Sequence, residues 1–142
     1  MTGPLDANEI HVLVGILEDA DRRVLVNQRR PGTHMEGFWE YPGGKRAPGE
    51  GAFEALRREL AEELGIEVHG ASPWMELVHD YPGQRVRLDV WLVERWSGEP
   101  QGLEGQPLRW VPVDELADIG LLPADRPILD ALVARHAARP GR

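Results

Sequence analysis

The sequence contains no cysteine, which excludes disulfide bonds, thiolate metal sites and a cysteine nucleophile. No apolar run is long enough to cross a membrane, and residues 1–10 lack the basic-then-apolar pattern of a signal peptide. Basic side chains are the minority, because 16 Lys and Arg stand against 24 Asp and Glu and give a formal net charge of −8. These absences predict a cytoplasmic protein that binds no membrane and no nucleic-acid polymer.

The bulk composition is that of one ordinary globular unit. With 142 residues, 42% hydrophobic and 28% charged, the chain can form a real core but is too short for two ordinary domains. We therefore expect a single domain over residues 1–142, with its core at about 8–136, acting as a monomer. If such an acidic protein acts on a polyanion, a cation must stand between the two, and a divalent metal is the simplest choice.

Hydrophobic periodicity and turn residues predict strands interspersed with two helices. The strands are expected at residues 10–18, 23–28, 39–41, 73–81, 85–96 and 108–113. The helices are expected at residues 52–64 and 125–138, with a helical turn at 114–117 and a frayed tail from Arg139. Ile128, Leu129, Leu132 and Val133 are expected on one side of the last helix.

The central helix carries an apolar stripe and, beside it, a cluster of acids. At about 100° per residue, the stripe consists of Phe53, Leu56, Leu60 and Leu64. Glu59, Glu62 and Glu63 gather on a neighbouring face, where their mutual repulsion costs helix stability. One interpretation is a solvated acidic surface. The other is a site for a hard divalent cation, which removes the repulsion, and Mg²⁺ prefers such oxygen ligands.

The residues around this cluster favour the metal site. Seven fixed residue types stand at set spacings: Gly44, Glu50, Arg58, Glu59, Glu62, Glu63 and Gly65, with aliphatic Leu60 and Ile66. They match the pattern GX5EX7REUXEEXGU, where U is aliphatic, which is the signature of the Nudix hydrolases. From this chain's residue frequencies, the seven fixed positions would match by chance roughly once in ten million starting positions. The chain therefore resembles a Nudix hydrolase.

Each part of this motif has a physical purpose. Gly43 and Gly44 let the backbone approach a metal or a phosphate closely, and Glu50 lies near the helix start, where the dipole favours a carboxylate. Arg58 is predicted to hold one of the glutamates in place by a forked hydrogen bond. The helix glutamates then supply metal ligands, and one of them or a loop carboxylate takes a proton from water. Gly65 ends the helix.

The resemblance extends from about Ala7 to Leu132 and is to the MutT-like branch of the family. Its further matching stretches are residues 28–30, 34–35, 40–45, 92–96, 104–107 and 123–125. It implies an α/β fold with a mixed β-sheet between helices, and Mg²⁺ as cofactor with Mn²⁺ as a substitute. It also implies attack by water at phosphorus, which releases a nucleoside monophosphate and pyrophosphate. The implied substrate is 8-oxo-dGTP or a related oxidised purine triphosphate, whose removal keeps damaged nucleotides out of DNA.

The resemblance also implies roles for individual residues. The implied metal ligands are Glu59, Glu62, Glu63, Glu104 and the carbonyl of Gly43, with Glu63 as the principal one and Arg58 beside them in the catalytic set. The implied substrate contacts are Arg29, His34, Glu40, Tyr41, Pro42, Gly43, Tyr81 and Asp125. Without the resemblance, Arg29 would be interpreted as a surface charge, His34 as a loop residue, and either tyrosine as core filling.

Two departures from the MutT-like pattern concern the nucleobase. An asparagine that contacts the oxidised guanine is replaced by Asp125, and an arginine beside the substrate is replaced by Gln84. Aspartate only accepts hydrogen bonds unless it is protonated, and Asp125 could equally be the N-cap of the last helix. These changes keep open a pyrophosphohydrolase acting on CTP or modified dCTP. A non-catalytic nucleotide-binding module is a further alternative, although all the motif glutamates are present.

Overall fold

The computed structural model describes residues 9–139, which form seven strands, two α-helices and two short 3₁₀ helices. The strands are β1 (Glu9–Leu17), β2 (Arg23–Gln28), β3 (Trp39–Glu40), β4 (Gly43–Lys45), β5 (Glu67–Tyr81), β6 (Gln84–Ser97) and β7 (Leu108–Pro112). The helices are α1 (Ala52–Leu64) and α2 (Arg126–Ala138), with 3₁₀ helices at Val113–Asp118 and Pro123–Asp125. The predictions for residues 1–10 and for the tail from Arg139 fall largely outside the described residues.

The strands form two sheets. In the larger sheet the order is β4-β1-β6-β5, and β1 and β6 run parallel while the outer pairs are antiparallel. In the smaller sheet the order is β3-β2-β7, and both pairs are antiparallel. The predicted α/β fold with a mixed sheet is confirmed, and the structure adds that the strands divide between two sheets.

Alternation along β1 places a buried cluster on each face of the larger sheet. Successive side chains of a strand point to opposite faces. Leu13 and Leu17 therefore pack with the leucine stripe of α1, whereas Val14 and Ile16 pack in the cluster that includes α2. The two helices thus cover opposite faces of the mixed sheet, and each fully buried leucine contributes roughly 1.5–3 kcal/mol.

Helix α1 begins and ends at the predicted residues. Gly65 adopts a φ of 71°, and its N–H donates to the carbonyl of Ala61 at 3.0 Å, which closes the helix with a left-handed cap. Leu56, Leu60 and Leu64 are fully buried. This stripe faces the core. The neighbouring acidic face of α1 lies alongside β4.

Two strands differ from the sequence prediction. β5 begins at Glu67 rather than at Pro73, because register shifts between Val68 and Met75 interrupt the alternation that reveals a strand. Pro73 is tolerated there since β5 is an edge strand of its sheet. β4 is not among the predicted strands, because its glycines are poor strand formers.

Helix α2 buries a narrower stripe than predicted. Ile128, Leu129 and Leu132 are buried, whereas Val133 is 50% exposed, so its predicted place in the stripe was wrong. At about 100° per residue, Ile128, Leu132 and Leu129 span an arc of roughly 100°, and Val133 lies roughly 40° beyond it. Across residues 9–139, no helix combines the length and apolar character that a membrane span requires.

Candidate active site

Strand β4 brings two glycines against the acidic face of α1. A side chain on Gly43 would overlap the carbonyl oxygen of Leu13 on β1, and one on Gly44 would overlap the carboxylate of Glu59. The N–H of Gly43 donates to Oε1 of Glu63 at 3.3 Å. Glycine at position 43 is therefore needed for β4 to lie so close to β1, and glycine at position 44 leaves room for Glu59 to keep its position.

Arg58 is the hub of the acidic cluster. Its Nε and Nη2 atoms donate to the two carboxylate oxygens of Glu50 at 2.6 and 2.9 Å, which is the forked geometry expected from the motif. Its Nη1 donates to Glu59 at 2.9 Å and to Glu62 at 3.2 Å, and Nη2 also donates to the carbonyl of Lys45. The hydrogen bonds from Arg58 lower the pKa of Glu50 to about 2. One guanidinium thus orients three carboxylates.

Glu63 is half-buried among other carboxylates. Burial raises its pKa to about 8, although the hydrogen bond from the Gly43 N–H opposes the rise. Three further negative charges add to it, those of Glu59, Glu104 and Glu40. A cation bound beside Glu63 would remove this repulsion, so this is where the cluster favours positive charge most.

The loop between β6 and β7 brings Glu104 to the same place. Buried Gln106 accepts a hydrogen bond from the N–H of Glu104 at 2.9 Å and donates one to the carbonyl of Glu63 at 3.1 Å. The N–H of Leu103 donates to the same carbonyl at 3.0 Å. Because the last carbonyls of a helix lack partners within it, the loop docks on the end of α1. No pattern in the sequence indicates this positioning role for Gln106.

The donor set fits a hard divalent cation, because it consists of carboxylates and backbone carbonyls. As the side chains stand, no three acidic or histidine groups within residues 9–139 converge closely enough to hold an ion. Arg58 and the Gly43 N–H engage the carboxylates of Glu59, Glu62 and Glu63 instead, and the side chain of Glu62 is 57% exposed. The predicted ligands therefore share one region, and their coordination stays a prediction.

A cleft of about 320 Å³ leads away from these carboxylates. Its walls are mostly apolar and include Val12, Val14, Val86, Leu88 and Leu122. Polar groups join them at a few positions, among which are Glu40, Glu63 and Asp125. An apolar cleft with a few well-placed polar groups suits a largely planar organic ligand that must be held in one orientation.

Arg29 and Glu40 line this cleft, and His34 lies beside Arg29. Nη1 of Arg29 donates to both carboxylate oxygens of Glu40 at 3.2 and 3.4 Å, and its Nε donates to the carbonyl of His34. Burial raises the pKa of Glu40, although the charge of Arg29 opposes the rise. The side chain of His34 lines an extension of the cleft together with Tyr81. The structure therefore brings these four predicted substrate contacts together.

Three other predicted substrate contacts, Tyr41, Tyr81 and Pro42, lie in different environments. The Tyr41 side chain is 4% exposed within the core, so the core-filling interpretation is confirmed for it, and it borders the cleft from within. Tyr81 is exposed and lies against His79, with 4.5 Å between ring centroids. Pro42 is buried, and its carbonyl accepts a hydrogen bond from Gly15. Pro42 does not belong to the cleft lining.

Asp125 occupies the N-cap position of the last helix, but its side chain does not cap it. It is 6% exposed and makes no side-chain hydrogen bond to the first turn of α2, so the N-cap interpretation holds for its position and is wrong for its side chain. Its carboxyl group accepts a hydrogen bond from the backbone of Tyr41 instead. Burial raises the pKa of Asp125 to about 7, and the charge of Glu40 contributes to the rise. Gln84, the second departure, is exposed at the turn between β5 and β6.

An apolar cleft that reaches a cluster of helix-borne carboxylates defines a metal-dependent hydrolase of phosphate compounds. The chain belongs to the Nudix hydrolase family, since the NUDIX domain matches residues 13–131. Enzymes of this family require a divalent metal, in agreement with the donor set around Glu63.

Two relatives from Escherichia coli (strain K12) are similar over most of the chain. An 8-oxo-dGTP diphosphatase is 36% identical over 124 residues, which cover 87% of this chain and 96% of the relative. A CTP pyrophosphohydrolase is 38% identical over 131 residues, which cover 92% of this chain and 96% of the relative.

Solved structures agree with this assignment. The solution structure of the E. coli ORF135 protein has a TM-score of 0.83 at 37% identity and covers 99% of this chain and 100% of that one. A MutT structure from a study of Aliivibrio salmonicida and Vibrio cholerae has a TM-score of 0.80 at 33% identity. It covers 89% of this chain and 98% of that one.

Proposed function

We propose that this enzyme hydrolyses 8-oxo-dGTP and related oxidised purine triphosphates to the monophosphate and pyrophosphate, with Mg²⁺ as its metal. The observation that carries the proposal is a single cleft lined by both Asp125 and Glu63. A nucleotide has an aromatic base at one end and phosphates at the other, and this cleft offers apolar walls for the first and the metal region for the second. The 36% identity to an 8-oxo-dGTP diphosphatase supports the substrate.

Asp125 has the chemistry to recognise an oxidised guanine. Guanine presents two acceptors on its major-groove edge, N7 and O6, whereas oxidation at C8 turns N7 into an N–H donor beside the O6 acceptor. A carboxyl group with a pKa of about 7 is substantially protonated at neutral pH. Its O–H then donates to O6 while its other oxygen accepts from N7–H, as an asparagine side chain would do.

The phosphates would lie near the helix carboxylates. Glu59, Glu62, Glu63, Glu104 and the Gly43 carbonyl would hold the Mg²⁺. A divalent ion held there would supply positive charge to offset the phosphates and to lower the pKa of the attacking water. Arg58 orients the helix glutamates, and Arg29 and His34 contact the nucleotide. A nearby carboxylate accepts the proton of the water, and the oxygen of the water bonds to phosphorus as the bond between monophosphate and pyrophosphate breaks.

A second candidate substrate is CTP or a modified dCTP. The 38% identity to a CTP pyrophosphohydrolase supports it, and so does Asp125 when ionised. A carboxylate accepts hydrogen bonds from the exocyclic amine of cytosine, which is a donor. Two protonation states of one buried group would therefore favour two different bases.

The deciding experiment is a screen of triphosphates with the purified enzyme and Mg²⁺, ranked by kcat/KM, with the products separated by ion-exchange chromatography. We expect 8-oxo-dGTP to lead and pyrophosphate to be released. Values for dCTP analogues far above that for 8-oxo-dGTP would select the second candidate. Absence of any product with Mg²⁺ and with Mn²⁺ would favour the non-catalytic nucleotide-binding module.

We further propose that the chain acts as a single domain and a monomer in the cytoplasm, where it removes oxidised nucleotides before they reach DNA. Sedimentation velocity at micromolar concentration checks the monomer, and a dimeric species would contradict it. A raised rate of A·T to C·G mutation in cells that lack the gene would be expected from misincorporated 8-oxoguanine.

A further inference from the structure

The carboxylate region borders a second opening, which we call the outer pocket. It is lined by Arg29, Arg30, Thr33, Glu40, Glu63 and Glu104. It shares Arg29, Glu40 and Glu63 with the apolar cleft, whereas Asp125 lines only the apolar cleft. A nucleotide with its base at Asp125 and a phosphate beside Glu63 must therefore extend its remaining phosphates into the outer pocket.

The two arginines of the outer pocket differ in how many donors remain available. Nε and Nη1 of Arg29 are already bonded to the His34 carbonyl and to Glu40. Arg30 is exposed and uses one nitrogen, Nη1, which donates to the carbonyl of Glu104 at 3.0 Å. Its Nε and Nη2 make no hydrogen bond within residues 9–139. Arg30 therefore offers a charged group with free donors beside the metal region.

The backbone holds Arg30 in a fixed position. The N–H and the hydroxyl of Thr33 both donate to the carbonyl of Arg30, at 3.3 and 2.6 Å. Between them lie Pro31 and Gly32, and Gly32 has a φ of 86°. Proline in the second position and a positive-φ glycine in the third are typical of a type II turn. A cation on such a turn loses less entropy when it binds a ligand than one on a loose loop.

We infer that Arg30 is a specificity-determining residue that binds the terminal phosphate of a nucleoside triphosphate and so favours triphosphates over diphosphates. A guanidinium pairs well with phosphate oxygens because its donors lie in one plane. A diphosphate ends before the outer pocket and does not gain this contact. The inference rests on the proposed function, since that function places the phosphate chain.

The test compares Arg30→Gln with wild type on the best triphosphate of the screen and on the corresponding diphosphate. Glutamine keeps an N–H that can donate to the Glu104 carbonyl but removes the charge. We expect kcat/KM for the triphosphate to fall by about tenfold relative to the diphosphate, as loss of a charge-assisted bond predicts. Calorimetry in Mg²⁺ should show a similar loss of pyrophosphate affinity. High salt should reduce the difference between Arg30→Gln and wild type both in kcat/KM and in pyrophosphate affinity.

Arg95→Gln is the matched control. Arg95 is also exposed and also donates one bond to a backbone carbonyl, that of His69 at 3.4 Å, but it lines neither the cleft nor the outer pocket. If Arg30→Gln binds pyrophosphate as wild type does, or loses activity equally on both substrates, Arg30 merely supports the Glu104 loop and the inference is wrong. A wild-type enzyme that cleaves no triphosphate would instead contradict the proposed function, and pyrophosphate binding would still test Arg30.

Discussion

The carboxylate end and the base-facing end of the cleft are built in different ways. The carboxylate end comes mainly from one continuous segment, residues 43–65, in which two glycines and one arginine set the helix glutamates in place. The base-facing end joins Asp125, Tyr81 and the backbone of Tyr41, which lie far apart along the chain. Side chains at the base-facing end can therefore change without disturbing the carboxylates. The relatives fit this division, because an 8-oxo-dGTP diphosphatase and a CTP pyrophosphohydrolase are similarly identical to this chain.

The largest expected effect is at the carboxylate end. Glu63→Gln should lower kcat by at least roughly a hundredfold, because it removes the principal predicted metal ligand. The fold should persist, since glutamine has the same shape and carries no charge, which avoids both the burial and the repulsion that raise the pKa of Glu63. Steady-state kinetics and a melting curve measure both, with Glu67→Gln on β5 as an exposed control. Near wild-type turnover would contradict the assignment of Glu63 as a metal ligand. An altered base preference would show that the two ends of the cleft are not independent.

Gly44→Ala should lower kcat by roughly tenfold or more, because its new methyl group overlaps the carboxylate of Glu59 and displaces it. Gly70→Ala is the control for adding a methyl group beside a flexible side chain, since its new carbon would lie 3.0 Å from Arg95, against 2.0 Å from the Glu59 carboxylate at Gly44. Gly70→Ala should keep wild-type turnover and should lose less stability than Gly44→Ala in a thermal melt. Equal turnover in the two variants would show that the position of Glu59 does not matter to the reaction.

Asp125→Asn should change the choice of base more than the turnover of the best substrate. In wild type, the ratio of kcat/KM for 8-oxo-dGTP to that for dCTP should fall as pH rises from 6 to 8.5, because protonated Asp125 suits the purine and ionised Asp125 suits cytosine. Asparagine cannot ionise, so the ratio should be flat in the variant. Effects of pH on the common chemistry cancel in such a ratio. Identical pH profiles of the ratio in both proteins would exclude Asp125 from base recognition.

The same substitution should affect stability in a pH-dependent way. A carboxyl group whose pKa is raised on folding, here to about 7, gives stability that is present below its ordinary pKa and is lost as pH rises through 7. Each pKa unit corresponds to about 1.4 kcal/mol. The Tm of Asp125→Asn relative to wild type should therefore increase between pH 5 and pH 8. Asp130→Asn, at an exposed position, should show no such trend.

The carboxylate end could be predicted from sequence because it depends on local geometry. Helical spacing alone places Glu59, Glu62 and Glu63 on one face, and Gly65 marks the end of α1 where the structure has it. The forked bond from Arg58 also follows from residues on one helix and the turn before it.

The base-facing end could not be predicted in the same way, because its contacts join distant segments. A sequence cannot distinguish an aspartate that caps a helix from one that turns inward, and Asp125 does the second. Gln106 gave no signal either, since a buried polar side chain is recognised only by what surrounds it. β4 could not be predicted from the sequence, because its pairing with β1, and not its own composition, makes it a strand.

The smallest expected effect concerns Tyr41, whose backbone belongs to the base-facing end and whose side chain belongs to the core. Its backbone N–H serves the base-facing end by bonding to Asp125, while its side chain fills the core and its hydroxyl is buried without a partner among the described residues. Because an unpaired buried polar group costs about 1–3 kcal/mol, Tyr41→Phe should raise the free energy of unfolding by about 1 kcal/mol and leave kcat/KM unchanged. Chemical denaturation and the triphosphate screen measure the two quantities. A loss of kcat/KM confined to one base would show that the hydroxyl reaches the ligand, and Tyr41 would then join the base-facing end through its side chain as well.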